Sequence, residues 1–83
     1  MKVKLQIATF DNKYISRQEG DGTYYYFLDI SEFNMSQYPP HLYTEEEKDF
    51  HLSENFTIFD ENTGQEISSN QLIFKYIELN ISN

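Results

Sequence analysis

Two histidines and two acids in the middle of the chain are the residues whose chemistry would suit a metal ion or a proton transfer. His41, Glu47, Asp49 and His51 lie close together in the sequence, and imidazole and carboxylate groups are suitable ligands for zinc or a related ion. Their spacing fits no recognised metal-binding pattern, so ordinary surface histidines beside acids are the simpler interpretation. The sequence therefore predicts neither a metal site nor a cofactor.

Catalytic motifs are not found in the sequence. It contains no nucleophile elbow, no glycine-rich phosphate-binding loop and no dinucleotide-binding fingerprint. It also has no cysteine and only three glycines. We therefore predict that the protein is not an enzyme. A small hydrolase or metal enzyme stays open as a third hypothesis, although it would need a constellation of groups that we cannot assemble from these residues.

Negative charge is concentrated in the later part of the chain. The 83 residues carry a net charge of −8. Residues 1–17 hold four basic residues and one acid, whereas the rest of the chain holds two lysines and thirteen acids, a net of −11. Such a field repels phosphate groups, which disfavours nucleic acid and anionic membranes as partners. It favours a basic protein as partner, because attraction between opposite charges accelerates association.

The predicted binding surface combines these acids with aromatic side chains. A solvated acidic face that only aids solubility is the simpler interpretation of the acids, and an aromatic core is the simpler interpretation of the tyrosine-rich run at residues 24–27. The sharper hypothesis is a negative surface whose carboxylates resemble phosphates. The residues that we predict to contact a partner are Glu45, Glu46, Glu47, Asp49, Glu54, Asp60, Glu61, Tyr25 and Tyr43.

Strands that alternate between apolar and polar residues must position these side chains. Residues 2–10 alternate cleanly, which predicts a half-buried strand. Residues 13–18 predict a shorter strand. Both faces of residues 23–30 carry aromatic side chains, so this strand is predicted to lie in the centre of the sheet or at a surface that another molecule covers. Turns are predicted at residues 11–12 and 19–22. We expect the lysines of the first strand to lie beside a strand that carries glutamate, such as Glu78 or Glu66.

The second half of the chain predicts a loop, a helix, a hairpin and a final strand. Pro39 and Pro40 keep the central connection from being helical, and Thr44 with Glu47 forms a capping box for a helix of about two turns. Residues 55–67 predict a β-hairpin in which Gly64 adopts a positive φ. We expect this hairpin to pack against the strand at residues 71–81 and against the first strand.

The predicted fold is therefore one α+β, β-rich domain over residues 1–83, with an antiparallel sheet of about five strands and a short acidic helix in the central connection. No apolar run approaches the roughly 20 residues that a membrane-spanning helix needs, and the first residues do not resemble a signal peptide. The expected location is the cytoplasm, or the host cytoplasm if a phage encodes the protein.

The leading functional hypothesis is a protein-binding module. Small acidic inhibitors that phages and mobile elements direct against host defence or nucleic-acid enzymes have this size and charge, and some mimic DNA, but no motif here matches one family. The alternative is a structural or assembly subunit, for example of a phage particle. Such a subunit would form homo-oligomers through its sheet edges and its tyrosine-rich face.

Overall fold

The computed structural model describes residues 2–19 and 23–80, and within them it has six strands, one α-helix and two short 3-10 helices. The strands and the helix are β1 Lys2–Phe10, β2 Lys13–Glu19, β3 Tyr24–Asp29, α1 Glu45–Ser53, β4 Thr57–Asp60, β5 Glu66–Ser68 and β6 Ile73–Asn80. The 3-10 helices are Ile30–Glu32 and Ser69–Gln71. The predicted α+β, strand-rich class is confirmed. The turn predicted at residues 19–22 lies mostly outside the described residues.

The six strands form one mixed sheet in the order β5-β4-β3-β2-β1-β6. Every neighbouring pair is antiparallel except β3 and β4, which are parallel. The predicted antiparallel sheet of about five strands therefore differs slightly from the structure, which has six strands and one parallel pair, β3 with β4. A parallel pair needs a long crossover connection, and residues 30–56 supply one because they carry α1 across the sheet before β4 begins.

The β4–β5 hairpin lies at the edge of the sheet opposite to β6. Its strand β4 pairs with β3, whereas β6 pairs with β1 at the opposite edge of the sheet. The turn itself is as predicted, since Gly64 has a φ of 76°. The expected charge pairing along β1 is also present, because Lys4 lies directly opposite Glu78 on β6.

The main core lies between α1 and one face of the sheet, which we call the helix-side face. Buried side chains from β1 to β5 meet there with residues of the connecting segments, and the partly buried Phe74 of β6 packs against them. The core residues are Ala8, Ile15, Tyr25, Phe27, Tyr43, Ile58, Ile67 and Leu72, with Phe10, Phe56 and Phe74 packed against them. Leu72 links the hairpin to β6, so the packing that we expected between these two elements occurs through the core rather than through strand pairing.

The opposite face of the sheet is partly covered as well. Tyr14 is fully buried on that face, where its ring lies edge-on to Phe33 and its hydroxyl donates a hydrogen bond of 2.6 Å to the Tyr38 carbonyl oxygen. Ile7 and Ala8, which are neighbours on β1 and point to opposite faces, are both inaccessible to solvent. The simple half-buried pattern predicted for β1 therefore holds only for its first half.

A β-bulge in β2 decides which of its side chains face the helix. Ile15 pairs with Phe27, but the next pair is Arg17 with Tyr26, so Ser16 is the extra residue. Because directly opposite residues share a face, the bulge places Gln18 on the helix-side face and Arg17 on the other. The Arg17 guanidinium lies 4.1 Å from the centre of the Tyr26 ring.

Candidate functional site

Helix α1 begins with the capping box predicted from the sequence. The Thr44 hydroxyl accepts a hydrogen bond of 3.1 Å from the Glu47 amide, and the Glu47 carboxylate accepts one of 3.2 Å from the Thr44 amide. The acids lie mainly in the first turn, where the helix dipole favours them. The second half of the helix carries Phe50, His51 and Leu52 instead, so the description as an acidic helix applies mainly to its N-terminal half.

An open groove of about 860 Å³ lies between α1 and the sheet, and we call it the helix–sheet groove. Its helix side is formed by Glu46, Glu47, Phe50 and Glu54. Its sheet side and floor are formed by Gln18, Thr23, Tyr25, Phe56 and Thr57, with His51 below the helix. The groove thus combines carboxylates with aromatic rings, which makes it the best candidate for a binding site.

The floor of the groove is held by a hydrogen-bonded pair, Tyr25 and His51. His51 Nδ1 lies 2.7 Å from the Glu47 carbonyl oxygen, which can only accept, so Nδ1 carries a proton. In the neutral ring Nε2 then accepts a hydrogen bond of 2.8 Å from the Tyr25 hydroxyl. Burial, and secondly the negative charge of Glu47, raise the pKa of Tyr25 to about 12. The phenol therefore stays neutral and keeps donating.

A second buried tyrosine ties the segment before α1 to the sheet. Gln18 donates a hydrogen bond of 2.6 Å to the Tyr43 hydroxyl, and the Tyr43 amide donates one of 2.8 Å to the Gln6 carbonyl oxygen. The Tyr43 ring lies edge-on to His51 and Phe74, with ring centres 5.4 Å and 5.2 Å away. Burial raises the pKa of Tyr43, against the opposing effect of the Gln18 hydrogen bond.

The carboxylates at the groove differ in the hydrogen bonds and ion pairs that they already form within the protein. Glu47 accepts the Thr44 amide and lies 3.3 Å from His41 Nε2. Partial burial by itself would raise the pKa of Glu47, but these hydrogen bonds outweigh it and lower that pKa. For Glu46 and Glu54, both exposed, no ion pair is found among residues 2–19 and 23–80. Their charges are therefore available to a ligand.

Three of the predicted contact residues lie inside the domain rather than on its surface. Tyr25 is 1% exposed, Tyr43 is 5% exposed and Asp60 is 3% exposed. Asp60 accepts the Asn62 amide at 2.9 Å and lies 4.0 Å from Lys13 Nζ, so it stabilises the hairpin turn. Tyr25 lies on the helix-side face of the sheet, and Tyr43 lies in the segment that leads into α1. Only the Tyr25 side chain reaches the groove.

The remaining predicted contact residues are at the surface. Glu47 is partly exposed, and the exposed acids are Glu45, Glu46, Asp49, Glu54 and Glu61. All of them belong to α1 or its C-terminal cap except Glu61, which follows β4. Glu45 pairs with Lys48 at 3.6 Å and accepts a hydrogen bond from the Tyr76 hydroxyl. The helix is thus the element that presents most of the predicted carboxylates to solvent.

The two histidines are engaged within the protein. Both ring nitrogens of His51 are hydrogen-bonded, as described above, and His41 lies beside Glu47. In the described part of the chain, no group of three or more histidines and acids stands close enough together to hold a metal ion. None of the helices in the same residues is long and apolar enough to cross a membrane.

Sequence reasoning missed six residues of the groove, namely Gln18, Thr23, Phe50, His51 as a floor residue, Phe56 and Thr57. The position of Gln18 depends on the bulge at Ser16. The pattern of apolar and polar residues in the strand does not reveal this bulge. A helical wheel built from the capping box at Thr44 would have placed His51 near the sheet, since His51 lies one turn after Glu47. For Phe50 and Phe56 the sequence carried no such signal.

The sequence matches no protein-family model. Comparison with curated proteins and with solved structures returned no match either. The function is therefore argued from the side chains of this chain alone.

Proposed function

We propose that the protein is a binding module whose helix α1 meets a basic surface on a partner protein. The support comes from the exposed carboxylates of Glu46 and Asp49 on α1, together with Glu54 at its C-terminal cap. Opposite charges on the partner would steer the two proteins together, and the attraction would fall as salt screens it. A partner that uses the same basic surface for nucleic acid would be inhibited by this contact.

Several hydrogen bonds hold α1 in place, which favours recognition over a merely solvated face. The Ser69 hydroxyl donates to the His51 carbonyl oxygen at 2.8 Å, near the end of the helix. Before the helix, the His41 amide donates to the Ile15 carbonyl oxygen at 2.9 Å. The backbone that carries these carboxylates is already ordered, so binding has to order only their side chains.

The test is capture of binding proteins from a bacterial lysate at low and high salt, with two charge-reversal variants. One variant combines Glu46→Lys with Asp49→Lys. Its matched control combines Glu32→Lys with Glu66→Lys, which makes the same charge change at exposed acids away from α1. We expect basic nucleic-acid-binding proteins to be recovered by the wild type and the control at low salt, and to be lost with the α1 variant and at high salt.

A recovered partner should also release its nucleic acid when the wild-type protein is added. Capture that is insensitive to salt, or that both variants weaken equally, would contradict the proposal. The first result would point to an apolar contact, and the second to the overall charge of the protein rather than to α1.

Assembly into a homo-oligomer is the second candidate, and the position of β6 favours it. This strand of eight residues is one edge of the sheet, and it carries Ile73 and Tyr76 with most of their side chains exposed. Exposed edge strands are ready to pair with another chain. Analytical ultracentrifugation over a range of concentrations measures the oligomeric state. A protein that stays monomeric at high concentration would contradict the assembly function.

A further inference from the structure

The polar groups that the helix–sheet groove offers to a ligand are mainly hydrogen-bond acceptors. Glu46 and Glu54 contribute carboxylates. The Tyr25 hydroxyl donates its proton to buried His51, so it offers no donor to a ligand. The Gln18 amide nitrogen is directed to Tyr43, which leaves its carbonyl oxygen. A ligand that fits this set must donate several hydrogen bonds and carry positive charge.

Aromatic rings form the apolar part of the same groove. Phe50 and Phe56 lie with ring centres 5.4 Å apart, and Phe56 lies 5.2 Å from the ring centre of His51. The Phe50 side chain is 54% exposed although it is large and apolar. Aromatic faces attract planar cations, especially the guanidinium group, by stacking and by cation–π attraction. The exposed ring at Phe50 is therefore explained if a cationic ligand covers it.

We propose that the helix–sheet groove binds an arginine side chain of the basic partner. This inference rests on the proposed function and adds which residue of the partner is recognised. The guanidinium group is planar, always charged and carries five N–H donors in a fixed arrangement. It matches the acceptors of Glu46, Glu54 and Gln18 and can stack on the Phe50 ring. A lysine ammonium group has three donors and no planar face, so it satisfies fewer of these contacts.

The groove has room for a side chain together with the peptide backbone beside it, but not for a whole macromolecule. Its volume of about 860 Å³ is in the range of small-molecule binding sites. It is open to solvent along the helix, where Glu46 and Glu54 lie, so a side chain can enter from the surface that the partner would cover. An anionic ligand would meet carboxylates on entry, which excludes phosphate-bearing ligands on electrostatic grounds.

The direct test uses three short peptides of glycine and serine that differ at one central residue, namely arginine, lysine or citrulline. Citrulline keeps the shape of arginine and removes its charge. Binding to the uniformly labelled protein is followed by NMR chemical-shift titration. We expect the arginine peptide to shift the amide signals of Gln18, Thr23 and Phe50, with an affinity about tenfold or more above that of the citrulline peptide. The lysine peptide should bind with intermediate affinity.

Two pairs of variants locate the binding in the groove. Glu46→Gln with Glu54→Gln removes the two available carboxylates and should abolish the preference for arginine over citrulline, whereas Glu32→Gln with Glu66→Gln makes the same charge change elsewhere and should keep it. Phe50→Ala should weaken arginine binding severalfold. Leu52→Ala should not, because Leu52 is exposed on the same helix and does not line the groove. These are surface positions, and amide spectra verify that each variant is folded.

The outcomes separate this inference from the proposed function. If citrulline binds as tightly as arginine, or if the two charge variants weaken arginine binding equally, the arginine site is wrong. Salt-sensitive capture of basic proteins through α1 would in that case still support the proposed function. If the arginine peptide binds in the groove but no basic protein is captured through α1, the arginine site stands and the proposed function is wrong.

Discussion

The hydroxyl of Tyr25, on the central strand β3, donates a hydrogen bond of 2.8 Å to Nε2 of His51 on helix α1. Both side chains are buried, and the second ring nitrogen of His51 is bonded to the backbone of the preceding helical turn. The pair therefore fixes the distance and the rotation of the helix relative to the sheet. It also sets the floor of the groove between them.

Removal of the Tyr25 hydroxyl should destabilise the fold. Tyr25→Phe leaves Nε2 of His51 buried without its donor, and we expect the free energy of unfolding to fall by about 1–3 kcal/mol. The neighbouring Tyr24 is about half exposed and points to the opposite face, so Tyr24→Phe should change stability by less than about 0.5 kcal/mol. Urea denaturation of both variants measures the difference. Equal losses of stability in the two variants would show that the hydrogen bond to His51 does not account for the destabilisation.

Stability should decrease on the alkaline side. The pKa of Tyr25 rises from 10.0 in the unfolded chain to about 12 in the folded protein, and that of Tyr43 is raised too. A raised pKa means that the full stability is present below pH 10 and is lost as the pH rises from 10 towards 12. Each tyrosine contributes a slope of up to about 1.4 kcal/mol per pH unit.

The Tyr25→Phe variant tests the source of this alkaline loss. Its free energy of unfolding, measured in urea at several values between pH 9 and pH 12, should fall less steeply than that of the wild type. The remaining slope should come largely from Tyr43. A wild-type protein whose stability is flat over this range would contradict the burial of both phenols.

The capping box should contribute measurably to helix α1. Thr44→Ala removes the acceptor for the Glu47 amide, and we expect a loss of about 1 kcal/mol in the free energy of unfolding. Thr44→Ser retains a hydroxyl at the same position and should restore most of that loss. Thermal or urea denaturation followed by circular dichroism compares the three proteins. A serine variant as unstable as the alanine variant would indicate that the threonine methyl group, not the cap, is important.

The turn between β4 and β5 should tolerate asparagine better than alanine at Gly64. With a φ of 76°, this residue lies in the left-handed region, and no atom would clash with an added Cβ. The cost of Gly64→Ala should therefore come from the backbone alone, about 1 kcal/mol, and Gly64→Asn should cost less. Equal losses in urea denaturation would point to a steric cause instead.

Local patterns predicted most of the secondary structure but not the arrangement of the strands. Alternation identified β1 and β3, and the pairing of Thr44 with Glu47 identified the start of α1, because these signals depend on residues close in sequence. The parallel pairing of β3 with β4 depends on where the crossover places α1. No local pattern indicates this, so the sequence predicted neither the parallel pair nor the order of the strands in the sheet.

The candidate site was predicted only in part for the same reason. The acids of α1 are exposed as expected, since charged groups avoid burial without a partner. Tyr25 was predicted to contact a partner, but aromatic residues on both faces of its strand fit a central strand as well as an interface. The sequence did not indicate which face the helix would cover. The groove itself depends on the bulge at Ser16, which turns Gln18 rather than Arg17 towards Tyr25.

The pairing of β6 with β1 has a consequence for how the chain folds. Thr9 on β1 and Ile73 on β6 are joined by a hydrogen bond across 64 residues of sequence. Contacts between such distant segments form slowly, because a long loop must close before they can stabilise anything. Until β6 arrives, β1 keeps one edge unpaired, and that edge is the place where folding intermediates of this protein should associate with each other.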